Sequence, residues 1–320
     1  MDSPVYIVLA SYNGANYIET QLDSIINQTY TDWKLLIRDD GSTDATINII
    51  KKYVQKDSRI ELIDENSILK GNGAGQNFGA LLSVAASRDA TMIMFCDQDD
   101  FWFPIKVETM RSAMVTTKSA MVYSNFLYSD EHLNELPDVV QKAKSPYLFP
   151  FFKTTMVQNH VYGCTMMISG DLAKLCLPIP QVAENHDYWI ALVASGVDVK
   201  IHHLSKPLMH YRQHANNVTG NVKDHQKLNR INRFLFSFDH LRQVQVKKNL
   251  MLGALYEQLG AHLKPDNKIL LMGYLDALNK HSLSIVSYCI KHGIKRQSFV
   301  STIVLYVLLS NVSQSKTVKR

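Results

Sequence analysis

The sequence predicts an α/β fold whose largely parallel sheet is followed by a helical C-terminal region. Three observations indicate this class. Short β-rich runs alternate with segments of helical periodicity from the start of the chain, and these runs end in polar residues. After about residue 220 the pattern becomes helical and basic. We therefore predict two parts, an α/β domain over residues 1–220 and a helical region over residues 221–320.

The composition is that of a globular protein with a substantial core. The chain has 320 residues, of which 46% are hydrophobic and 20% are charged, and its 14 glycines and nine prolines are too few for a low-complexity chain. The formal net charge of +5 fits attraction to a phosphorylated substrate or to an anionic membrane surface. It does not indicate nucleic-acid binding, and we predict no nucleic-acid partner.

Cysteine usage and the N-terminal sequence favour the cytoplasm. The four cysteines are too scattered for a CxxC metal site and too few for a secreted disulfide framework, so we predict reduced core thiols. The N-terminus runs into an apolar stretch without the basic segment and the long apolar segment of a signal peptide. The inner face of the cytoplasmic membrane is the alternative location.

The elements of the α/β domain follow in order along the chain. β-rich runs predict strands at residues 5–9, 33–37, 60–63, 91–96 and 120–123, and a further apolar run lies at residues 164–168. After the first strand, Asn16 and Glu19 have the spacing of a helix capping box. After the second strand, Ser42 or Thr43 is predicted to begin the next helix.

Polar clusters at the predicted strand ends direct the search for function. Three of them are Ser-Tyr-Asn at residues 11–13, Asp-Asp-Gly-Ser at 39–42 and Asp-Gln-Asp-Asp at 97–100. In open α/β sheets, ligands bind outside the carboxyl ends of the strands. A nicotinamide site is excluded because no GxGxxG follows the first strand and the glycines at 71, 73 and 75 have a different spacing, and the chain has no P-loop.

The Asp97-x-Asp99-Asp100 cluster predicts a divalent-cation site. Carboxylates packed at one strand end repel one another, and a cation makes the arrangement favourable. Their hard oxygen ligands suit Mg²⁺ or Mn²⁺, which keep positions open for substrate phosphates. The alternative for an isolated motif of this kind is a solvated acidic turn or a set of helix caps.

An ordered series of motifs resembles family-2 glycosyltransferases of the GT-A fold. The series is ASYNG at residues 10–14, RDDGSTD at 38–44, CDQDDFW at 96–102 and NHDYW at 185–189, and it covers about the first two-thirds of the chain. Within that family, DQDDFW, the Gly163-Cys164 pair, HDYW and the run YRQHANN at 211–217 are most similar to rhamnosyltransferase-like enzymes of bacterial surface polysaccharides such as O-antigen and capsule.

For the nucleotide, the resemblance implies that Ser11 and Asn13 line the pocket and that Tyr12 stacks on the base. Asp39 would accept a hydrogen bond from the imide N–H of uracil or thymine, since a carboxylate is an acceptor only. Asp40 is a further candidate. The alternative is that Asp39 and Asp40 order the turn before the helix. Gln76 stands where relatives often carry arginine, which removes one phosphate contact, and the preceding glycines either approach the donor or supply positive φ.

For the metal, the resemblance places Asp97 near the ribose and the ion and makes Asp99 the expected direct ligand of the cation that bridges the donor diphosphate. Asp100 would orient the loop or touch the acceptor. His214 lies where the family often places a residue that reaches the metal or the pyrophosphate, and Arg212 suits phosphate because its donors form a fixed fork. A structural histidine is the alternative for His214.

Asp187 is the predicted catalytic base. Displacement at the anomeric carbon requires a group that removes the proton of the acceptor hydroxyl. In the family, an acidic residue at the start of a helix takes this role, and residues 187–195 are predicted to form that helix. Where many relatives show Glu-Asp this chain has His186-Asp187, so His186 would tune the base or contact the acceptor. A helix cap is the alternative for Asp187, and Glu184 is the second candidate for the base.

The predicted function is that of an inverting, metal-dependent glycosyltransferase. It would move L-rhamnose from dTDP-rhamnose, or otherwise a hexose from a UDP-sugar, onto a saccharide acceptor, either free or lipid-linked. A single displacement is expected because the chain offers one base candidate and no evident second nucleophile. The alternatives are a nucleotidyltransferase, which would need a basic N-terminal loop that this chain lacks, and a non-catalytic nucleotide-sugar-binding protein.

The segment Phe299–Leu309 is nearly all apolar but too short to cross a bilayer, which takes about 20 residues. Basic residues flank it, namely Lys295, Arg296, Lys316, Lys319 and Arg320. Two interpretations stay open for this segment. It either forms a helix that closes the core or pairs with another subunit, or lies at an anionic membrane interface as a peripheral contact.

Overall fold

Four ranges of the chain are described by the computed structural model, residues 3–63, 73–136, 152–214 and 238–312. Two compact units divide the chain. The first comprises Met1–Leu148, Val161–Pro178 and Lys200–His225, and the second comprises Phe149–His160, Ile179–Val199 and Gln226–Arg320. The predicted boundary at residue 220 falls outside the described residues and stays a prediction.

The described residues of the first unit form eight strands. They are β1 (Val5–Ser11), β2 (Trp33–Asp39), β3 (Ile60–Leu62), β4 (Met92–Asp97), β5 (Phe101–Trp102), β6 (Met121–Ser129), β7 (Met166–Ser169) and β8 (Ile201–Arg212). The sheet order is β3-β2-β1-β4-β7-β6-β8-β5. β1 to β4 are parallel to their neighbours in this group, β7 is antiparallel to β4 and β6, and β5 is antiparallel to β8. The predicted α/β class is confirmed, with the parallel pattern strict in the first half of the sheet.

Helices cover both faces of this sheet. They are α1 (Ile18–Ile26), α2 (Thr46–Lys56), α3 (Gly73–Ser87), α4 (Lys106–Thr117) and α6 (Gly170–Cys176). Alternate residues of β1 divide the core, since Val5, Ile7 and Leu9 pack in one cluster with Leu22 of α1 and Ile50 of α2. On the other face, α3 packs against β1 and β2. The sheet is therefore covered by helices on both faces.

Two predicted helix starts are wrong. α1 begins at Ile18 without a side-chain cap, because the N–H groups of Tyr17 and Ile18 already donate to the Gly14 carbonyl, each at 3.0 Å. The capping box predicted at Asn16 and Glu19 therefore does not form. α2 begins at Thr46, not at residue 42 or 43, because Ser42 and Thr43 form the preceding loop and Asp44 accepts the Thr46 N–H at 3.0 Å.

The second unit is helical. Its helices are α5 (Phe152–Thr155), α7 (His186–Gly196), α8 (Phe238–Leu259), α9 (Pro265–Asn279), α10 (Ser282–His292) and α11 (Phe299–Val312). α9 packs on α8 and α10, and α11 packs on α8 and α10. The helical nature of the C-terminal region is confirmed. None of the helices in the described ranges has both the length and the hydropathy that a bilayer crossing demands.

Candidate functional site

The ends of β1 and β2 bring the first two polar clusters together. Ser11 and Asp39 are opposite each other in the parallel register. The Ser11 hydroxyl donates to Asp39 Oδ1 at 2.9 Å, and the Asp40 N–H donates to the Ser11 carbonyl at 2.9 Å. The predicted nucleotide residues Ser11 and Asp39 therefore share one edge of the sheet, as parallel strands require.

The Asp39 carboxylate is buried and accepts four hydrogen bonds. Oδ1 accepts the Ser11 and Ser42 hydroxyls at 2.9 and 2.6 Å, and Oδ2 accepts the N–H groups of Gly41 and Ser42 at 2.9 and 2.7 Å. A carboxylate offers about four acceptor positions, so all of them are occupied. Asp39 thus orders its own turn, and a pyrimidine imide could bond to it only if a hydroxyl rotated away. Its contact with the base stays a prediction.

The loop after β1 is held by backbone contacts that leave the Tyr12 ring exposed. The Gln98 amide accepts from the Tyr12 N–H and donates to the Tyr12 carbonyl, both at 2.9 Å. Asn13 has a positive φ of 46°, and its Oδ1 accepts the Thr43 N–H at 2.8 Å. The Tyr12 ring is 56% exposed at this edge, where a flat ligand could stack on it.

Gly14 allows the close approach of the loop that follows β4. A Cβ atom at this position would lie 2.1 Å from Gln98 Oε1, inside the normal contact distance. Any larger residue would therefore displace Gln98 from the Tyr12 backbone. Gln98 joins the first and third polar clusters, a role that sequence reasoning missed, although its polar side chain within DQDD was the available signal.

Asp40 links the β2 end to α3. Its carboxylate lies 3.4 Å from an Arg38 guanidinium nitrogen, and its Oδ2 accepts the Gly73 N–H at 3.2 Å. Gly73 has a positive φ of 80°, which glycine adopts without strain. Arg38 also donates to the buried Asn77 side chain at 2.8 Å. Asn77 therefore supports the end of β2 through Arg38. Gly71 lies outside the described residues.

The third cluster follows β4 and is partly buried. Carboxylate oxygens of Asp97 and Asp100 and the Cys164 sulfur lie within 4.8 Å of one another. Asp100 Oδ1 accepts the Arg212 N–H at 3.3 Å, while Oδ2 accepts no bond from an N–H or O–H group of the described residues. Burial raises the pKa of Asp100 well above its usual range, and the carboxylates of Asp99 and Asp97 raise it further.

Asp99 and His214, both predicted metal residues, contact each other. His214 Nε2 lies 2.7 Å from Asp99 Oδ2, and both side chains are largely buried. The His214 ring stacks on Tyr17 with 4.6 Å between the ring centroids. The structure therefore brings the predicted pair together, and it adds Tyr17, which sequence reasoning missed because its motif position suggested only a helix start.

Arg212 holds the acidic loop through backbone carbonyls. Its Nε donates to the Asp99 carbonyl at 2.8 Å, and its Nη1 donates to the Glu131 carbonyl at 2.6 Å. The guanidinium also lies over the Tyr17 ring, 4.9 Å from its centroid. Arg212 therefore orients the loop 97–100, and its predicted contact with the donor phosphates stays a prediction.

A buried cation, Lys106, lies beneath this cluster. Its side chain is fully buried, its ammonium donates to the Cys164 carbonyl at 2.6 Å, and it lies 4.0 Å from the centroid of the Trp102 ring. Burial lowers the pKa of Lys106 to about 8, and the carboxylates of Asp100 and Asp97 oppose that shift. Sequence reasoning missed it, although its place on the buried stripe of α4 with Met110 and Met114 was a signal.

The acidic residues fit a divalent cation. Carboxylate oxygens of Asp97 and Asp100 lie within 4.8 Å of each other. Asp99 precedes Asp100 in the chain, and its carboxylate contacts the His214 imidazole. These residues together offer oxygen and imidazole ligands. These ligand types suit Mg²⁺ and Mn²⁺. Burial raises the pKa of the Cys164 thiol well above its usual range, so the thiol stays protonated and is no ligand for a hard cation.

The predicted base lies in the second unit, in the first turn of α7. Asp187 is half-buried, and its Oδ1 accepts the N–H of Tyr188, a contact typical of a helix N-terminus. Burial lowers the pKa of the neighbouring His186 to about 3, so this imidazole is neutral near pH 7. Glu184 forms an ion pair with Lys248 at 3.3 Å, which favours a structural role over that of a base.

Comparison with known proteins gives one family and one fold. A family model for "Glycosyl transferase family 2" matches residues 6–174. The dTDP-rhamnosyl transferase RfbG of Shigella flexneri is 32% identical over 222 residues, which cover 66% of this chain and 73% of that protein. The UDP-Glc:alpha-D-GlcNAc-diphosphoundecaprenol beta-1,3-glucosyltransferase WfaP of Escherichia coli is 28% identical, over 68% of this chain and 80% of that protein.

Solved structures share the architecture at low sequence identity. Residues 1–349 of Staphylococcus aureus TarS, in complex with UDP-GlcNAc, match with a TM-score of 0.60 and 15% identity over 97% of this chain and 89% of that one. The mannosyltransferase PcManGT of Pyrobaculum calidifontis, in complex with GDP-Man and Mn²⁺, matches with a TM-score of 0.51 and 12% identity over 97% and 83%. At these identities the likeness concerns the fold.

Proposed function

The chain belongs to glycosyl transferase family 2, and on that premise we propose that it moves one sugar from a nucleoside diphosphate donor to a saccharide acceptor in the synthesis of a bacterial surface polysaccharide. One observation carries the proposal. The Ser11–Asp39 edge and the acidic loop after β4 meet at the carboxyl ends of adjacent parallel strands, joined by the Gln98–Tyr12 contacts. Family membership favours glycosyl transfer over a nucleotidyltransferase or a non-catalytic binding protein.

For the donor, we favour dTDP-L-rhamnose over a UDP-hexose. The name of the Shigella relative supports the first and the name of the Escherichia relative supports the second. Both donors carry a pyrimidine. Its imide N–H would donate to Asp39 once the Ser11 or Ser42 hydroxyl rotates away from that carboxylate. Ser11, Asn13 and Asp40 would line this pocket, and the exposed Tyr12 ring would stack on the base.

Asp97, Asp99 and His214 would hold Mg²⁺ or Mn²⁺, and Arg212 would add a cationic contact to the diphosphate. A divalent cation supplies positive charge that stabilises the leaving nucleoside diphosphate. The buried Asp100 would orient the loop 97–100 by accepting the Arg212 N–H. Lys106 offsets part of the negative charge that the carboxylates bring together.

Asp187 would act as the base of an inverting, single displacement. The acceptor hydroxyl oxygen forms the new bond to the anomeric carbon, its proton passes to the Asp187 carboxylate, and the bond from that carbon to the donor phosphate oxygen breaks. The electron pair of the broken bond leaves with the nucleoside diphosphate.

The acceptor we propose is a saccharide carried by a lipid diphosphate. The name of the Escherichia relative contains such an acceptor, a diphosphoundecaprenol sugar. An acceptor of this kind stays at the membrane surface, so the enzyme would work at the inner face of the cytoplasmic membrane. The peripheral contact through the C-terminal helix belongs to this proposal.

A thermal-shift screen tests the donor. The purified chain is heated with dTDP-rhamnose, UDP-glucose, UDP-galactose or GDP-mannose, each with and without Mn²⁺. A ligand that binds only the native state raises the melting temperature. We expect the largest shift with dTDP-rhamnose and Mn²⁺ together. A shift only with the purine donor GDP-mannose, or none with any donor, would contradict the proposal.

A further inference from the structure

The last three helices expose an unusual share of apolar side chains. Eleven large hydrophobic residues are exposed in the described ranges, and eight of them belong to α9, α10 and α11, so the excess is local. The eight are Ile269, Met272, Leu283, Ile290, Phe299, Val300, Ile303 and Val307. Scattered exposed apolar residues need no explanation, but a concentration of this kind marks an interaction surface.

α11 has two apolar faces, of which one is buried and the other exposed. Leu305, Leu308, Leu309 and Val312 are buried and close the core of the second unit. Phe299, Val300, Ile303 and Val307 are exposed, with Phe299 exposed to 81%. At about 100° per residue these four positions fall within one arc on the opposite side of the helix. The exposed face is therefore an apolar stripe that the described residues of the unit do not cover.

α10 also exposes apolar side chains. Leu283 and Ile290 are exposed to 74% and 63% and lie seven residues apart, on one side of the helix, while Ile285 and Cys289 are buried on the other. α10 packs directly on α11. Lys291 is exposed on α10 as well.

The charge of the chain is concentrated in the same region. After Asp276 the sequence has seven lysines and arginines and no acidic residue, whereas the first 276 residues carry two more acidic than basic residues. Arg296 is turned inward, since it donates to the Val157 carbonyl at 3.3 Å and to Gln245 at 3.2 Å. Among the described residues after Asp276, the exposed cations are therefore Lys280, Lys291 and Lys295.

We infer that the α10–α11 surface binds an anionic phospholipid bilayer, with the two helices lying in its interfacial plane. The α10–α11 surface is defined by Leu283, Ile290, Phe299, Val300, Ile303 and Val307 with Lys280, Lys291 and Lys295. Apolar side chains would enter the headgroup boundary, and the lysines would meet lipid phosphates. α11 has 14 residues and is about 21 Å long, too short to cross a core of about 30 Å.

Charge favours a bilayer over a second copy of the chain and over an acidic protein as the occupant of this surface. In a symmetric pair of chains, the α10–α11 surface of one copy would face the same lysines of the other, and like charges at close range repel. An acidic protein partner would match the lysines but leave the large apolar stripe of α11 poorly matched. The inference extends the proposed function, which places the acceptor at a membrane, to the surface that would bind it, and its test requires no substrate.

Vesicle sedimentation with the full chain tests the inference. One set of vesicles contains phosphatidylcholine alone, and the other contains phosphatidylcholine with phosphatidylglycerol. We expect the protein to sediment with the anionic vesicles and not with the neutral ones, and high salt should weaken the binding because the lysine contribution is screened. Binding to both kinds equally, or to neither, would overturn the inference.

Matched double variants locate the surface. Phe299→Ser with Ile303→Ser should weaken binding to anionic vesicles on the order of tenfold or more, because two buried apolar contacts are lost. Lys291→Glu with Lys295→Glu should weaken it by a similar factor. Circular dichroism should show an unchanged fold, because all four side chains are exposed.

The control removes two exposed apolar side chains from α9, which also carries Asp266 and Asp276. Ile269→Ser with Met272→Ser should leave vesicle binding unchanged. If this control weakens binding as much as the α11 variant, the inference is wrong. It is also wrong if light scattering shows a dimer that the α11 variant dissociates while neither protein binds vesicles. Donor binding, measured without vesicles, stays a separate test of the glycosyltransferase function.

Discussion

Replacing the buried Lys106 by methionine tests whether it supports the acidic site. Methionine has a similar length and can pack against Met209 and Trp102, so little volume is lost. The Cys164 carbonyl, however, loses its donor at 2.6 Å, which costs about 1–3 kcal/mol in a buried site. Asp100 also loses a nearby cation that lowers its pKa. We expect the free energy of unfolding to fall by about 1–3 kcal/mol, chiefly through the unpaired carbonyl.

Urea unfolding at pH 7 measures this effect through a double-mutant cycle. Lys106→Met, Asp100→Asn and the double variant are compared with the wild type. Because the two residues interact, we expect the double variant to lose at least about 1 kcal/mol less than the sum of the single losses. Lys118→Met, at an exposed position, is the control and should stay within about 0.5 kcal/mol of the wild type. Additive losses, or an unchanged Lys106→Met protein, would refute the reasoning.

The other predictions concern three residues. Asp99→Ala should abolish Mn²⁺- or Mg²⁺-dependent transfer while the fold persists, because Asp99 lies beyond the end of β4; full turnover with either ion would count against it. Asp187→Asn should bind the donor as the wild type does in calorimetry but lose roughly 10²- to 10⁴-fold in turnover; loss of donor binding would instead assign Asp187 to the donor site. Because burial lowers the pKa of His186 to about 3, the unfolded chain binds the extra proton between about pH 6.5 and that value. The free energy of unfolding should therefore fall as the pH falls through this range, by up to about 1.4 kcal/mol per unit, and an unchanged slope in His186→Gln would contradict this origin.

The first half of the fold could be predicted from the sequence because its strands are buried on both faces. β1, β2 and β4 have almost uninterrupted apolar sequences, and each ends in a polar cluster. β8 was missed because its first seven residues, which include two histidines and Pro207, are half-buried or exposed and so lack that pattern. The antiparallel direction of β7 could not be predicted either, since an apolar run has the same pattern in both directions.

The residues of the candidate site could be predicted, but the hydrogen bonds among them could not. The sequence placed Ser11, Asp39, Asp97 and Asp99 at strand ends, and the structure brings the first two into contact. It could not show that Asp39 is saturated by its own turn, since that depends on where the Ser42 hydroxyl and N–H point. Loop geometry also decided the helix starts, because the side chains expected as caps bond elsewhere.

The buried cation of the site escaped prediction for a different physical reason. A lysine on the apolar stripe of a helix usually extends its ammonium to solvent, so its place in the sequence does not predict burial. Lys106 is held inside by the Cys164 carbonyl, which is 58 residues away in the sequence. Contacts between segments so distant from each other have no local pattern in the sequence.

Calorimetric titration of nucleoside diphosphates tests the central claim most directly. UDP, dTDP and ADP are each titrated into the full chain with and without Mn²⁺, so that neither the sugar nor the acceptor has to be known. We expect UDP and dTDP to bind when Mn²⁺ is present and Asp39→Asn to weaken the binding of both. ADP, which lacks a pyrimidine imide, should bind much more weakly. Equal binding of ADP and UDP, or no binding of any of the three with Mn²⁺ present, would contradict it.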